Sequence, residues 1–427
     1  MKPEPGDVVK VITDSETYEG IIMQRPAILD NGVVVLKLYS GYNIGIDENR
    51  IKKIEVVEKY KQKKAEKSKI FHKKNLPNVS ILSFGGTISS KVDYRTGGVY
   101  ADYNAEDFVQ MIPELKNVVN LKAENVMSVM SEDFSPEIWQ LMAKRIAEEL
   151  NDEKIDGVVI TQGTDTLHFS TAAISFFLRN LNKPVVFTAA QRSIDRGSSD
   201  AFFNLLCAVH AAAKFDGASV VTCMHGTSSD GFCILINGVN VRKMHTSKRD
   251  AFKSINTPPF AKVYEDGRIE ILNSNYKKRN NEKVVVEDQF ESKTALVYVY
   301  PGMDPDILEY YRQKKYKGIV IAATALGHVA TLNPKYSLLK KLKELIDNGV
   351  SVVITSQAIY GRVHPYVYTN LRRLSLGLNC IFADGMLSET AYIKLGWVLA
   401  HAKSIDEVKE MMLTNYSGEI VDRITDI

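Results

Sequence analysis

Two similar stretches decide how this chain folds: residues 79–89 read VSILSFGGTIS, and residues 158–169 read VVITQGTDTLHF. In each, a run of apolar, mostly β-branched residues leads into a glycine-containing turn that carries a threonine, Thr87 in the first and Thr164 in the second. Such runs are typical of buried parallel strands, and in open α/β folds the carboxyl ends of these strands bind the ligand. Glycine lets the backbone turn sharply and approach a ligand closely. The pattern predicts an α/β sheet with two threonine hydroxyls at its carboxyl edge.

The composition is that of a globular protein, with 427 residues, of which 45% are hydrophobic and 25% charged. This length predicts two or three domains. Because the chain has no apolar run long enough to cross a bilayer and its start has no apolar signal core, we expect a cytoplasmic protein without membrane association. The four cysteines and eight histidines form no metal-binding spacing, so we expect buried reduced thiols and no metal. The net charge of +3 is too small to argue for nucleic acid.

The first 60 residues predict a small SH3-like β-barrel, because five short strand patterns follow one another with close turns. A lysine-rich linker follows over residues 61–77, with seven lysines between positions 61 and 74. Such a charge run reads either as a solvated tether or as a contact for a phosphate backbone. The sequence leaves both interpretations open.

From residue 78 onwards, apolar strand patterns alternate with helical ones, which predicts an α/β domain over 78–275 that carries the active site. The polar stretch NSNYKKRNNEK at 273–283 marks a boundary, and a second, smaller α/β domain is expected over 290–427. Strands are predicted at VSILSF, ENVMSVM, DGVVIT, PVVFTA, ASVVTCM, TALVYVY, KGIVIAA and SVVITSQ. Helices are predicted after the N-cap Ser135, near 335–348 and 386–401, and at 404–414, where Ser404 and Glu407 form a capping box.

The residues at the turns suggest a nucleophile with a base. A threonine hydroxyl is a poor nucleophile until a base takes its proton, and a lysine amine can do so only when it is neutral. Asp165, beside Thr164, is placed to orient such an amine and to relay a proton. The stretch VRKMHTSKRDAFKS at 241–254 supplies three candidate lysines, and spacing alone does not rank Lys243, Lys248 and Lys253.

Five motifs in order across residues 84–254 resemble those of the asparaginase family: FGGTIS, SEDF, TQGTDT, TAAQRS and VRKMHTSKRDAFKS, beside the family's T-G-G-T-I, G-S-x-D, G-T-D-T and K-x-H-T. The resemblance implies a two-domain asparaginase-like α/β body. It gives Thr87 the role of nucleophile. It assigns Thr164, Asp165 and Lys243 to a proton-relay triad in which Thr164 is a second hydroxyl that attacks or activates water.

The same resemblance implies a set of residues that bind or cover the substrate. Tyr94 corresponds to the tyrosine of a mobile lid, and Ser131 and Asp133 to the turn that grips the substrate's α-amino and carboxyl groups. Gly86 and Gly163 belong to the turns, and the backbone at Ala190 lies along the substrate. The chain departs from the family at three positions: Glu132 replaces a frequent glutamine, and Leu326 and His328 stand where many relatives read G-N-G-N.

The barrel, linker and body together resemble the D subunits of archaeal glutamyl-tRNA(Gln) amidotransferases over essentially the whole chain. This resemblance implies an amidohydrolase that releases ammonia from glutamine or asparagine and associates as a dimer. It also implies a partner, the E subunit (GatE), that uses ATP and Mg²⁺ to convert Glu-tRNA(Gln) to Gln-tRNA(Gln) within a heterotetramer. The sequence has no P-loop and no dinucleotide-binding motif, so no cofactor is expected in this chain.

Two other functions remain open at this stage: a stand-alone cytosolic type I L-asparaginase with an appended barrel, and a non-catalytic tRNA-binding or scaffold protein. The amide donor is open too, because glutamine and asparagine differ by one methylene, a difference worth only ~1–3 kcal/mol in a pocket.

Overall fold

The computed structural model describes residues 3–23, 32–40, 42–59, 73, 75–86, 88, 90–92, 99–101, 112–192 and 198–424. The first unit is an antiparallel sheet with the strand order β4-β3-β2-β1-β5. Its strands are β1 Val8–Thr13, β2 Thr17–Met23, β3 Val33–Leu38, β4 Asn43–Asp47 and β5 Ile51–Glu58. Its buried core consists of Val9, Val11, Leu36 and Ile46. The five predicted strands are therefore present, whereas the linker prediction falls mostly outside the described residues.

The second unit is built on an eight-stranded sheet with the order β18-β17-β14-β13-β12-β10-β6-β9. The strands of this unit are β6 Asn78–Ser83, β7 Ser90–Val92, β8 Val99–Ala101, β9 Asn120–Asn125, β10 Gly157–Thr161, β11 Leu178–Arg179, β12 Val185–Thr188, β13 Val220–His225, β14 Cys233–Asn237, β15 Val241–Lys243, β16 Phe252–Ser254, β17 Ala261–Val263, β18 Ile269–Ile271 and β19 Val285–Val286. From β9 to β13 all neighbours pair in parallel, and from β13 to β18 they pair antiparallel. The parallel half is the part that the apolar runs predict.

One strand prediction was wrong. ENVMSVM, residues 124–130, was expected to be a strand, but the strand is Asn120–Asn125 and residues 126–130 are irregular. The register explains the difference, because Asn78 to Ser83 of β6 pair with Asn120 to Asn125. β6 ends at Ser83, so residues 126–130 have no strand beside them. Apolar composition alone does not distinguish the two segments.

Within the described part of this unit, three α-helices cover the sheet: α1 Pro136–Leu150, α2 Leu167–Phe177 and α3 Ala201–Lys214. α1 begins as predicted, with Ser135 as N-cap and proline in the first turn, although the Ser135 hydroxyl donates to Glu137 Oε2 at 2.6 Å instead of capping the backbone. α2 is buried along nearly its whole length. A helix that is apolar on all sides belongs inside a protein, here between two layers.

The third unit has a parallel sheet in the order β20-β21-β22-β23. Its elements are β20 Thr294–Tyr298, α4 Ile307–Gln313, β21 Gly318–Ala323, α5 Leu339–Asp347, β22 Ser351–Ser356, α6 Thr369–Arg372, β23 Ile381–Phe382, α7 Ser388–His401 and α8 Ile405–Leu413. α7 is buried and packs against α2, with the rings of Phe176 and Trp397 stacked 5.9 Å apart. The two α/β units therefore share a core built from these helices.

Half of the predicted capping box is present at the start of α8, because Ser404 caps the helix but Glu407 bonds the residue before the N-cap and not Ser404 itself. The Ser404 hydroxyl accepts a hydrogen bond from the Glu407 amide at 3.1 Å, and the Glu407 carboxylate accepts one from the Lys403 amide at 2.6 Å. All four cysteines are buried. Among the described residues, no helix combines the length and apolar character needed to span a bilayer. Within the same ranges, no three or more His, Cys, Asp and Glu side chains are grouped as metal ligands would be.

Candidate active site

The two turns that end β6 and β10 lie in direct backbone contact. The strands pair in parallel, with Ser83 beside Thr161. Gly85 and Gly86 have φ values of 96° and 82°, a conformation that favours glycine. A Cβ on Gly86 would lie only 2.2 Å from the amide nitrogen of Gly163. Glycine is therefore required at position 86, because any side chain would push the two threonine turns apart.

Two of the predicted site residues, Thr87 and Tyr94, lie outside the described residues. Gly86 and Ile88, the described residues on either side of Thr87, are both buried beyond the carboxyl end of β6. The predicted roles of Thr87 as nucleophile and Tyr94 as lid remain predictions.

Thr164, Asp165 and Lys243 meet at this edge of the sheet. The Lys243 Nζ donates a hydrogen bond to Thr164 Oγ1 at 2.8 Å and another to Asp165 Oδ1 at 2.7 Å. The Thr164 hydroxyl in turn lies 3.3 Å from the same carboxylate oxygen, to which it donates. One amine thus contacts both a hydroxyl and a carboxylate, which is the arrangement expected of a proton relay.

The structure also separates the three candidate lysines. Lys248 and Lys253 form ion pairs with the buried Asp250, at 3.0 and 2.8 Å. Of the three, Lys243 alone has a hydrogen bond to Thr164 or Asp165. It is also the most enclosed, with 10% of its side chain exposed, compared with 51% for Lys248 and 41% for Lys253.

Asp165 remains largely open to solvent, with 65% of its side chain exposed. The hydrogen bond from Lys243 holds the pKa of the Asp165 carboxyl below its usual range, although partial burial opposes this effect. The carboxyl is therefore ionised at neutral pH, and it can hold the Lys243 amine against the Thr164 hydroxyl.

Ser131 joins the SEDF turn to the second threonine turn. Its hydroxyl accepts a hydrogen bond from the Asp165 amide at 3.3 Å, and its carbonyl accepts one from the Thr166 hydroxyl at 2.6 Å. Ser131 is buried, whereas Glu132 and Asp133 are exposed on the same turn. A Cβ on Gly163 would lie 2.7 Å from the Ser131 hydroxyl oxygen, so this glycine permits the contact.

Ala190 is buried just beyond the carboxyl end of β12, the strand beside β10. The two residues after it, Gln191 and Arg192, are held by an aspartate that the sequence analysis did not select. The Asp200 carboxylate accepts hydrogen bonds from the backbone amides of Gln191 and Arg192 at 3.0–3.1 Å. The fully buried Asp200 therefore determines the path of the backbone next to Ala190. The only signal in the sequence was an aspartate directly before a helix.

A buried histidine lies beside the relay. His168 is on the first turn of α2, and its Nδ1 has no hydrogen-bond partner among the described residues. Burial, reinforced by the positive charges of Arg242 and Lys243, lowers the pKa of His168 to about 3. This imidazole is therefore neutral at physiological pH, which suits a structural role.

Leu326 and His328, where the chain departs from the family pattern, lie in the loop after β21, a strand of the third unit's sheet. There His328 Nδ1 is 2.8 Å from Asn370 Nδ2. The hydrogen bond ties this loop to α6.

Family models match all three units. Residues 78–277 match the asparaginase N-terminal family, residues 293–412 the glutaminase/asparaginase C-terminal domain, and residues 3–57 the GatD N-terminal domain. Among solved structures, the thermostable L-asparaginase from Thermococcus kodakarensis aligns with a TM-score of 0.72 at 27% identity, covering 81% of this chain and 99% of that one. L-asparaginase I from Vibrio cholerae aligns with a TM-score of 0.69, also at 27% identity.

Sequence identity is higher to proteins that match nearly the whole chain. The glutamyl-tRNA(Gln) amidotransferase D subunit of Pyrococcus furiosus is 47% identical over 98% of this chain and 95% of its own length. The corresponding D subunit of Thermococcus kodakarensis is 45% identical over 97% of this chain and 94% of its own length. Because the match includes the N-terminal β-domain as well as the asparaginase-like body, this chain belongs to the GatD family, the D subunits of glutamyl-tRNA(Gln) amidotransferases.

Proposed function

We propose that this chain is the amidohydrolase subunit of a tRNA-dependent amidotransferase and that it releases ammonia from glutamine or asparagine. One observation carries the chemistry: a single amine, Lys243 Nζ, lies within hydrogen-bond distance of both Thr164 Oγ1 and Asp165 Oδ1 at the sheet edge. The family membership carries the biological setting, because the relatives named for this activity share the chain's N-terminal domain as well as its body.

The reaction begins with activation of a threonine hydroxyl. Thr87 attacks the side-chain carbonyl of the donor, and the proton of its hydroxyl passes to the relay of Thr164, Lys243 and Asp165. The carbonyl oxygen becomes a tetrahedral oxyanion, which backbone amides at the turns stabilise. The carbon–nitrogen bond then breaks, and the departing amide nitrogen takes the proton back and leaves as ammonia. An acyl ester on the threonine remains.

Water completes the cycle. As a water molecule attacks the acyl ester, the Thr164 hydroxyl takes a proton from it and passes its own proton to the Lys243 amine 2.8 Å away, which is neutral at this step. The ester bond breaks, the threonine oxygen recovers its proton, and the free acid, glutamate or aspartate, leaves. Asp165 holds the amine in place through both half-reactions, and its ionised state suits this role.

The ammonia is delivered to a partner in this proposal. The E subunit (GatE) binds ATP with Mg²⁺ and activates the glutamate of Glu-tRNA(Gln), so this chain needs no cofactor of its own. Two copies of each of the two proteins form a cytoplasmic heterotetramer. The name of the relatives and the match of residues 3–57 to the GatD N-terminal domain support this assembly.

The decisive experiment is an ammonia-transfer assay with the partner subunit, Glu-tRNA(Gln), ATP, Mg²⁺ and either glutamine or asparagine. We expect amidated tRNA to form only when both proteins are present, and we expect Thr87→Ala, in a chain that still folds, to abolish ammonia release. Ammonia release by Thr87→Ala at the wild-type rate would contradict the assigned nucleophile.

The likeness to L-asparaginases over 81% of the chain supports a second candidate, a stand-alone type I L-asparaginase with an appended β-domain. Removal of residues 1–75 separates the two. A stand-alone asparaginase would keep its full amidohydrolase rate, and the partner would have no influence on that rate. For an amidotransferase subunit we expect the truncated chain to lose ammonia transfer to the tRNA.

A further inference from the structure

Lys243 lies on a small hairpin that needs support from outside. The hairpin consists of β15 and β16, which among the described strands pair only with each other and are not part of the eight-stranded sheet. A two-stranded hairpin is marginally stable by itself. The position of the Lys243 amine therefore depends on whatever holds β15 and β16 in place.

The C-terminal α/β unit holds both ends of this hairpin. On the β15 side, the Thr390 hydroxyl on α7 donates to the Val239 carbonyl at 2.9 Å. On the β16 side, the buried Asn256 donates to the carbonyls of Gly361 and Gly385 at 2.9 and 2.8 Å, and it accepts a hydrogen bond from the Gly361 amide at 2.9 Å. The chain path from 239 to 256 is thus attached to the other unit at each end.

A third attachment lies directly beside the lysine. Arg242 forms an ion pair with Glu389, a residue in the first turn of α7. Only 6% of the Glu389 side chain is exposed. The Tyr298 hydroxyl also donates to this carboxylate, at 3.4 Å. A carboxylate buried to this extent needs a charged partner. The Arg242–Glu389 ion pair therefore cannot be exchanged for contacts with solvent, as a surface ion pair can.

Arg242 and Lys243 are consecutive on a strand, so their side chains point to opposite sides. The guanidinium is held by Glu389 on one side, and the amine reaches Thr164 and Asp165 on the other. A rotation or shift of β15 that released Arg242 would displace the amine as well. We infer that Glu389 is a positioning residue: through Arg242 it sets the geometry of Lys243 against Thr164, an inference that rests on the proposed amidohydrolase function.

The test is Glu389→Gln in the full chain, assayed for ammonia release with the partner subunit and Glu-tRNA(Gln) present. Because misplacement of a catalytic group by about an ångström costs up to ~10²-fold in rate, we expect kcat to fall roughly 10-fold or more while KM stays within about twofold. Arg242→Met should give a similar loss. The double variant should lose no more than the worse single variant, because both changes break the same contact.

A matched control lies in the same unit. Glu419 is a fully buried carboxylate paired with Lys394 on α7, and Glu419→Gln should lower the thermal midpoint without lowering kcat at a temperature where the protein is folded. If Glu389 had only a structural role, Glu389→Gln would behave like this control.

A milder variant keeps the test decisive if Glu389→Gln does not fold. Arg242→Lys keeps the charge but loses the guanidinium, and we expect an intermediate fall in kcat at an unchanged thermal midpoint. Unchanged kcat in folded Glu389→Gln, or in Arg242→Lys, would overturn the inference. A wild-type chain that releases no ammonia under the same conditions would instead refute the proposed function itself.

Discussion

Two of the short lysine–carboxylate pairs in this protein, Lys243–Asp165 and Lys394–Glu419, differ sharply in their surroundings. Lys243 lies 2.7 Å from Asp165, with 65% of the aspartate side chain exposed, and Lys394 lies 2.6 Å from Glu419, with neither side chain exposed. The Lys394 amine also donates to the carbonyls of Met412 and Thr414, and the Glu419 carboxylate accepts from the amides of Tyr416 and Ser417. The buried pair fastens the chain after α8 to α7.

The contrast shows that a lysine–carboxylate pair can serve catalysis or stability. Which of the two it serves depends on whether solvent and substrate can reach it and on what else its atoms hydrogen-bond to. The backbone occupies the remaining donors and acceptors of the buried pair, so a substrate has no group to meet there. At the open pair, the amine's partner besides the carboxylate is a hydroxyl, that of Thr164, which can itself gain and lose a proton. Burial lowers the pKa of Lys394 and Glu419 opposes that effect, yet this amine has no reacting partner.

The largest expected effect is on the open pair. Lys243→Met should lower kcat for ammonia release by ~10²–10⁴, because it removes the amine that exchanges protons with Thr164. The measurement is steady-state ammonia release at saturating donor. Lys248→Met is the matched control, since Lys248 pairs with Asp250 and should change kcat by less than about twofold. An equal loss in both variants would contradict the selection of Lys243.

The next effect is on the buried pair. Glu419→Gln should lower the free energy of unfolding by roughly 3 kcal/mol, because it leaves the Lys394 ammonium buried without its counter-charge. Equilibrium unfolding in urea measures this, and ammonia release should persist in the folded fraction. An unchanged unfolding free energy would show that the Lys394–Glu419 pair contributes no stability, and the structural role assigned to it would be wrong.

The smallest expected effect concerns acid stability beside the open pair. Burial lowers the pKa of His168 to about 3, whereas an unfolded histidine titrates near ~6.5. Between these values the unfolded chain binds the proton and the folded chain does not, so stability is complete above ~6.5 and falls as the pH decreases towards 3.

We therefore expect His168→Gln to lessen the loss of unfolding free energy between pH 6.5 and 4, where one such histidine contributes up to ~1.4 kcal/mol per pH unit. Urea unfolding at several pH values measures this slope. A His168→Gln slope equal to that of the wild type would contradict the assignment.

Much of the fold follows from local patterns, because buried parallel strands and capped helices leave strong signals in sequence. The start of α1 at Pro136 and the strand before Thr164 are examples. The strand expected at ENVMSVM was misplaced because pairing with β6, a non-local effect, decides where β9 ends. Local composition contains no information about that partner.

The active site, too, combines features that local sequence reveals with contacts that it does not. The two threonine turns are visible in sequence, whereas the choice of Lys243 required the resemblance to asparaginases, because 79 residues separate it from Thr164. Asp200 and Glu389 act on the site from other elements, through backbone amides and through Arg242. Such contacts have no fixed spacing along the chain, and so no motif reveals them.

The backbone contact between Gly86 and Gly163 limits how this enzyme can be redesigned. Any residue larger than glycine at position 86 would place its Cβ 2.2 Å from the backbone of the facing turn. Substitutions at this position would therefore distort the active site and would not reshape the substrate pocket. Libraries that aim to shift the preference between glutamine and asparagine should therefore keep both glycines fixed. Variation is better directed to the exposed Glu132, which already departs from the family's frequent glutamine.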